Sequence, residues 1–130
     1  MLRTIGCALL LAGGMFSSQS FAIQNYTLQA GPAYDYELPS KDPVVFSNIF
    51  MWSIKASCSI MSEDDDNFIS FKLLRKSGSI NDTPLASGDE MSLVVHPNNT
   101  FYITAISGAK VELINHGDKS IVARCSAVHS

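Results

Sequence analysis

The stretch FMWSIKASCSI, residues 50–60, alternates without interruption. Phe50, Trp52, Ile54, Ala56, Cys58 and Ile60 occupy one set of positions; Met51, Ser53, Lys55, Ser57 and Ser59, followed by Met61, occupy the other. Successive side chains of an extended strand point to opposite faces, so this pattern predicts a strand with one buried side. A helix would scatter the same apolar residues around its circumference. Cys58 then belongs to the inward set.

The period recurs downstream. FISFKLLRK places Ile69, Phe71 and Leu73 on one face, MSLVVH places Met91, Leu93 and Val95, and TFYITAI places Phe101, Ile103 and Ala105. KVELIN contributes Val111 and Leu113, and SIVARCSA contributes Ile121, Ala123, Cys125 and Ala127. Between them stand KSGSINDTP, ASGD, HPNN, SGAK and NHGDK, rich in residues that supply turn geometry or a positive φ. Short alternating segments at this cadence, with no amphipathic helix, predict an all-β fold: an antiparallel β-sandwich of about seven to nine strands. A small closed barrel is the alternative. Upstream, NYTLQA and YDYEL read as short strands at the sheet edges. LPSKDPVVF, with Pro39 and Pro43, reads as an edge or a connection, because proline cannot donate to a ladder.

Residues 1–22 read as a cleaved export signal. Arg3 supplies the positive charge, IGCALLLAGGMF a core of about 12 apolar residues, and Ser20 and Ala22 the small residues before a cut. That core is shorter than the roughly 20 residues needed to cross a bilayer, so no transmembrane segment is expected. Residues 23–130 then form one domain, secreted or periplasmic. Cys7 leaves with the signal, and Cys58 and Cys125 remain. An even pair in an exported chain predicts a disulfide. Both cysteines sit on the inward faces of their strands, so the sulfurs can meet without reversing either strand. Such a bridge would stabilise the fold by roughly 4 kcal/mol in the chain-entropy description. A buried cysteine pair with a lone tryptophan resembles immunoglobulin domains. There, however, the tryptophan lies between the cysteines and a tyrosine stands two before the second. Here Trp52 precedes Cys58 and position 123 is Ala. The resemblance therefore implies immunoglobulin-like sandwich architecture and not a true immunoglobulin domain.

After removal of the signal, eight Lys and Arg face twelve Asp and Glu, and the basic residues are scattered. Nucleic-acid binding is not expected from such a chain, since it calls for a basic stripe. The one charge block, residues 63–66 (EDDD), lacks the ligand spacing and glycine of a calcium loop. It reads as the solvated tip of a hairpin that also discourages edge-to-edge aggregation. Asp64 and Asp66, on one side of an extended chain, are the weak metal candidates, together with His96 and His116. His129 and the soft ligands Met51, Met61 and Met91 stand further off, and no H-x-H or H-E-x-x-H spacing joins the histidines. No cofactor is expected. Neither a G-x-S-x-G elbow nor a glycine-rich phosphate loop occurs, so an enzyme is not expected. A hydrolase assembled from distant loops and a metal- or small-ligand-binding protein stand as the alternatives. Tyr34 and Tyr36 share a face: either they pack the N-terminal segment on the sandwich, or they offer contact area to a protein or glycan. Asn25, Asn81 and Asn98 begin Asn-x-Ser/Thr sequons, relevant only in a eukaryotic source. The expected function is an exported binding module that recognises a protein or glycan.

Overall fold

The computed structural model describes residues 24–129; the export signal read over residues 1–22 lies outside them. The described residues form strands β1 Gln24–Thr27, β2 Gly31–Leu38, β3 Pro43–Ser47, β4 Ile54–Met61, β5 Asn67–Arg75, β6 Gly78–Ile80, β7 Thr83–Leu85, β8 Glu90–Val95, β9 Thr100–Ala105, β10 Lys110–Asn115 and β11 Ile121–His129. One sheet has the order β1-β3-β10-β5-β8 and the other β2-β11-β4-β9-β6-β7. They enclose a shared apolar core, and the expected all-β sandwich is what the chain adopts. No helix among the described residues is long and apolar enough to cross a membrane.

The inward sets follow the alternation. Ile54, Ala56, Cys58 and Ile60 of β4, Ile69, Phe71 and Leu73 of β5, and Ile121, Ala123, Cys125 and Ala127 of β11 are all buried. Phe71 and Phe101 meet across the two layers, edge to face with centroids 5.5 Å apart, the geometry favoured by the ring quadrupoles. The core is sealed along one side by Tyr26, Tyr36 and Phe46, whose centroids lie 5.0–5.5 Å apart. These rings come from β1, β2 and β3, so they tie the two sheets together.

Cys58 and Cys125 are joined in a disulfide. They stand directly opposite each other on neighbouring antiparallel strands of one sheet. Their Cα atoms are 4.0 Å apart, the close approach expected of a pair without ladder hydrogen bonds between it. The immunoglobulin bridge spans two sheets; this one fastens β4 to β11 within a sheet, so the likeness stops at the sandwich architecture.

Four expectations are corrected. The strands number eleven among the described residues, because the segment taken as turn, KSGSINDTP, contains β6 and the start of β7. Asn81 and Asp82 both have positive φ between the paired residues Ile80 and Thr83, which is a two-residue hairpin turn matched to strand twist. β6 also needs Gly78, where a Cβ would run into the Thr104 carbonyl of β9. Second, β3 is neither an edge nor a connection: it lies between β1 and β10 with Val44, Val45 and Phe46 buried. Pro43 is its first residue, a position where the missing N–H does little harm. Third, β1 pairs with β3 in parallel, since β2 crosses to the other sheet between them. Fourth, residues 62–66 do not close a hairpin. They carry the chain from β4 in one sheet to β5 in the other, as an arch over the end of the sandwich.

Candidate functional site

The alternation at residues 50–60 extends further than the strand it predicts. β4 begins at Ile54, and residues 50–52 are bends. The cause is Asn48, which follows β3 and is 1% exposed. Its side-chain Oδ1 accepts from the Phe50 backbone N–H at 2.9 Å, a short-range turn that asparagine forms readily. Its Nδ2 donates to the carbonyls of Trp52 at 2.9 Å, Ala105 at 3.0 Å and Ile106 at 3.1 Å. Ser107 Oγ donates to the Phe50 carbonyl at 2.6 Å. Loop and β9 end are thus tied through one buried amide, and the cost of burying that amide is offset by its bonds.

The loop so held is apolar and faces solvent. Met51 is 89% exposed, Ile49 69% and Trp52 44%. Phe50 alone turns partly onto the core, stacked on Trp52 with centroids 5.3 Å apart. Trp52 also lies 5.4 Å from the His129 ring. Exposed apolar residues scattered singly need no explanation, but a contiguous, backbone-fastened group is a recognised mark of an interaction surface. Beside it runs an open groove of about 380 Å³ whose lining includes Ile49, Phe50 and Met51 together with Arg75, Lys76 and Lys110. Sequence reading missed this site by taking Phe50 and Trp52 as inward strand residues. The available signal was Asn48 itself, placed between the apolar run of β3 and the alternation that follows.

Of the residues singled out from sequence, Met51 lies in this loop and His129 beside it; the others fall elsewhere. Tyr36 is buried, and burial pushes its hydroxyl pKa up; it packs on Tyr26 and Phe46. Tyr34 is 41% exposed, because only the C-terminal half of β2 covers the core. The two tyrosines therefore differ in exposure, one packed in the core and the other half exposed. At the end of the sandwich opposite to the apolar loop, His96 Nδ1 approaches Asp66 Oδ1 at 3.2 Å and the Asp65 carbonyl at 2.8 Å. Asp64 contributes backbone only, its N–H donating to Ser62 Oγ and its carbonyl accepting from Asn67 Nδ2. His116 Nε2 lies 2.9 Å from Ser70 Oγ, its ring over Phe68. His129, Met51 and Met91 are remote from that end, while Met61 borders an open groove with Glu63 and Lys119. Among the described residues no group of three or more His, Cys, Asp or Glu is arranged to hold a metal.

The acidic end is also fastened by asparagines. Asn67 Nδ2 donates to the carbonyls of Asp64 and Val95, both at 3.0 Å. Asn115 Nδ2 donates to Leu38 at 3.1 Å and Lys119 at 2.8 Å, while its Oδ1 accepts from the Gly117 N–H at 2.9 Å. Ion pairs cross the surface there: Lys41 with Asp118 at 3.0 Å and Lys119 with Glu63 at 3.8 Å. On β2 and β11, Arg124 grips Asp35 with two nitrogens, at 2.8 and 3.1 Å, and that hydrogen bonding holds the Asp35 carboxyl below the ordinary carboxylate range.

No protein-family model matches the chain, and no curated protein matches it. Among solved structures it is similar to the periplasmic lysozyme inhibitor of g-type lysozyme from Aeromonas hydrophila, PliG, at 9% identity and a TM-score of 0.28, over 80% of this chain and 97% of that one. A likeness at that level carries no argument about what this chain does.

Proposed function

We propose that this chain is an exported binding module whose working surface is the loop of residues 49–52, and that its partner is a protein. The observation that carries this reading is the loop's combination of exposure and fixation: Met51 and Ile49 project into solvent while Asn48 and Ser107 hold the backbone beneath them. Fixation in advance lowers the ordering cost of association. Aromatic residues and methionine are enriched at the buried centres of interfaces. Covering the largely exposed Ile49 and Met51 would each contribute up to about 1.5–3 kcal/mol before the costs of association. The disulfide and the two-residue hairpin keep the platform rigid, and loops on a rigid scaffold are where binding residues concentrate.

The test is site-specific photocrosslinking in the native compartment. A photoreactive residue at position 51 is expected to capture a discrete protein, and the same group at Phe68 or Val94, exposed and paired with each other at the opposite end of the sandwich, is not. Equal capture from all three positions, or none from position 51, overturns the reading.

A further inference from the structure

The cations beside the loop are placed at a cost. Lys110 of β10 and Arg75 of β5 stand directly opposite each other in the ladder, a like-charge pairing that destabilises a sheet. The register shifts between Lys110 and Val111, and such bulges are frequent next to functional sites because they re-aim side chains. The other surface cations of the described residues have partners of their own: Lys41 has Asp118, Lys119 has Glu63, Arg124 has Asp35, Lys72 stands across from Glu112 and Glu90, and Lys55, without an ion pair, lies 4.9 Å from the centre of the Tyr102 ring. Arg75, Lys76 and Lys110 have no ion pair among the described residues. On this side of the molecule, Asp89 accepts from the Ala86 N–H within its own turn.

The chain as a whole is negative, with a formal net charge of −3, yet its acidic cluster lies at the far end. The eight residues of β4 separate the ends by roughly 26 Å, several times the screening length of about 8 Å at physiological salt. A partner at the apolar loop therefore meets the local field of three unanswered cations. The groove that these cations line together with residues 49–51 gives that partner somewhere to place a side chain, against both apolar and positive groups.

Resting on the binding surface assigned above, we propose that the groove receives an acidic segment of the partner protein, its carboxylates meeting Arg75, Lys76 and Lys110 while neighbouring apolar side chains seat against Ile49 and Met51. Trp52 is the chain's one tryptophan, so its emission reports on this loop without labelling. The probe is a random copolymer of glutamate and leucine, with polylysine and phosphatidylglycerol vesicles as separate arms. A saturable change in Trp52 emission with the copolymer alone is expected, weakened about tenfold by the double substitution Arg75→Glu, Lys110→Glu and by high salt. Thermal melting confirms that the double variant is folded.

No response to the copolymer, or an undiminished one in the double variant, overturns the proposal. A response to vesicles in place of the copolymer overturns it in favour of an anionic bilayer. The crosslink from position 51 separates the two levels. If it persists in the charge-reversed variant, the acidic-partner proposal fails and the binding surface stands; if it is missing from the unsubstituted protein, both fail.

Discussion

At one end of the sandwich Asn48 fastens an apolar, cation-flanked loop; at the other Asn67 and Asn115 fasten an acidic arch and the turn of residues 116–120. The three asparagines are the buried polar side chains among the described residues, and each spends its amide on backbone carbonyls that a strand ladder cannot reach. The device is the same and the outward-facing residues are opposite. At the acidic end Lys41 pairs with Asp118 and Lys119 with Glu63 across exposed side chains, contacts that contribute little stability and suit a solvated surface. At the apolar end no ion pair among the described residues answers the three cations, and Met51 and Ile49 stand exposed. Backbone fixation by itself is thus scaffolding; what marks the loop of residues 49–52 is fixation spent on displaying groups that water does not favour.

The broadest test of this contrast acts between the ends. Cys58 and Cys125 close a loop with a sequence separation of 67, so removing the bridge by Cys58→Ala with Cys125→Ala is expected to cost about 4 kcal/mol. Denaturant unfolding measures the loss, and amide exchange should quicken at both ends alike. A loss confined to one end would show that the ends are not built on a common platform.

Next in size are the asparagines. Asn48→Ala and Asn115→Ala each strand buried carbonyls and are expected to cost about 2–3 kcal/mol. Only Asn48→Ala should also alter Trp52 emission in the folded protein, because its amide holds the Trp52 carbonyl. An emission change from Asn115→Ala would mean that the loop is positioned from the far end.

Substituting the display itself should leave the fold nearly untouched. Met51→Asp is expected to shift stability by no more than about 0.5 kcal/mol, while abolishing capture at the neighbouring Ile49 position by a photoreactive group placed there. A strongly destabilised Met51→Asp would recast the loop as structural.

The smallest effect is that of pH on the Asp35–Arg124 pair. With its carboxyl pKa lowered by the guanidinium hydrogen bonds, Asp35 contributes stability above its unfolded value of about 3.9 and loses it as pH falls through the lower folded value. Asp35→Asn should therefore melt slightly below the parent protein at neutral pH, and the gap should close in the acid range. A gap that persists at the lowest pH would place the effect in packing and not in charge.

Residue by residue, legibility followed locality. The inward faces of β4, β5, β9, β10 and β11 were readable because side-chain direction alternates along any strand, whatever it pairs with. The two sulfurs could be matched for the same reason. Phe50 and Trp52 misled because a loop whose phenylalanine turns onto the core mimics two more strand positions, and only the bonds from Asn48 distinguish the cases. The hairpin at Asn81 and Asp82 was hidden among turn residues that gave no apolar alternation of their own. The acidic arch was mistaken for a hairpin tip, since nothing in residues 62–66 says which sheet the next strand will join.

By itself the amino-acid sequence determined that these segments are strands, which side of each turns inward, and that Cys58 and Cys125 share that side; alternation and oxidation state are local properties. Tertiary structure decided the division into two sheets, the parallel pairing of β1 with β3, and the meeting of Arg75, Lys110 and Met51 around one groove. Those outcomes depend on pairing between residues far apart in the chain, whose free energies are set by the whole packed core and leave no local mark.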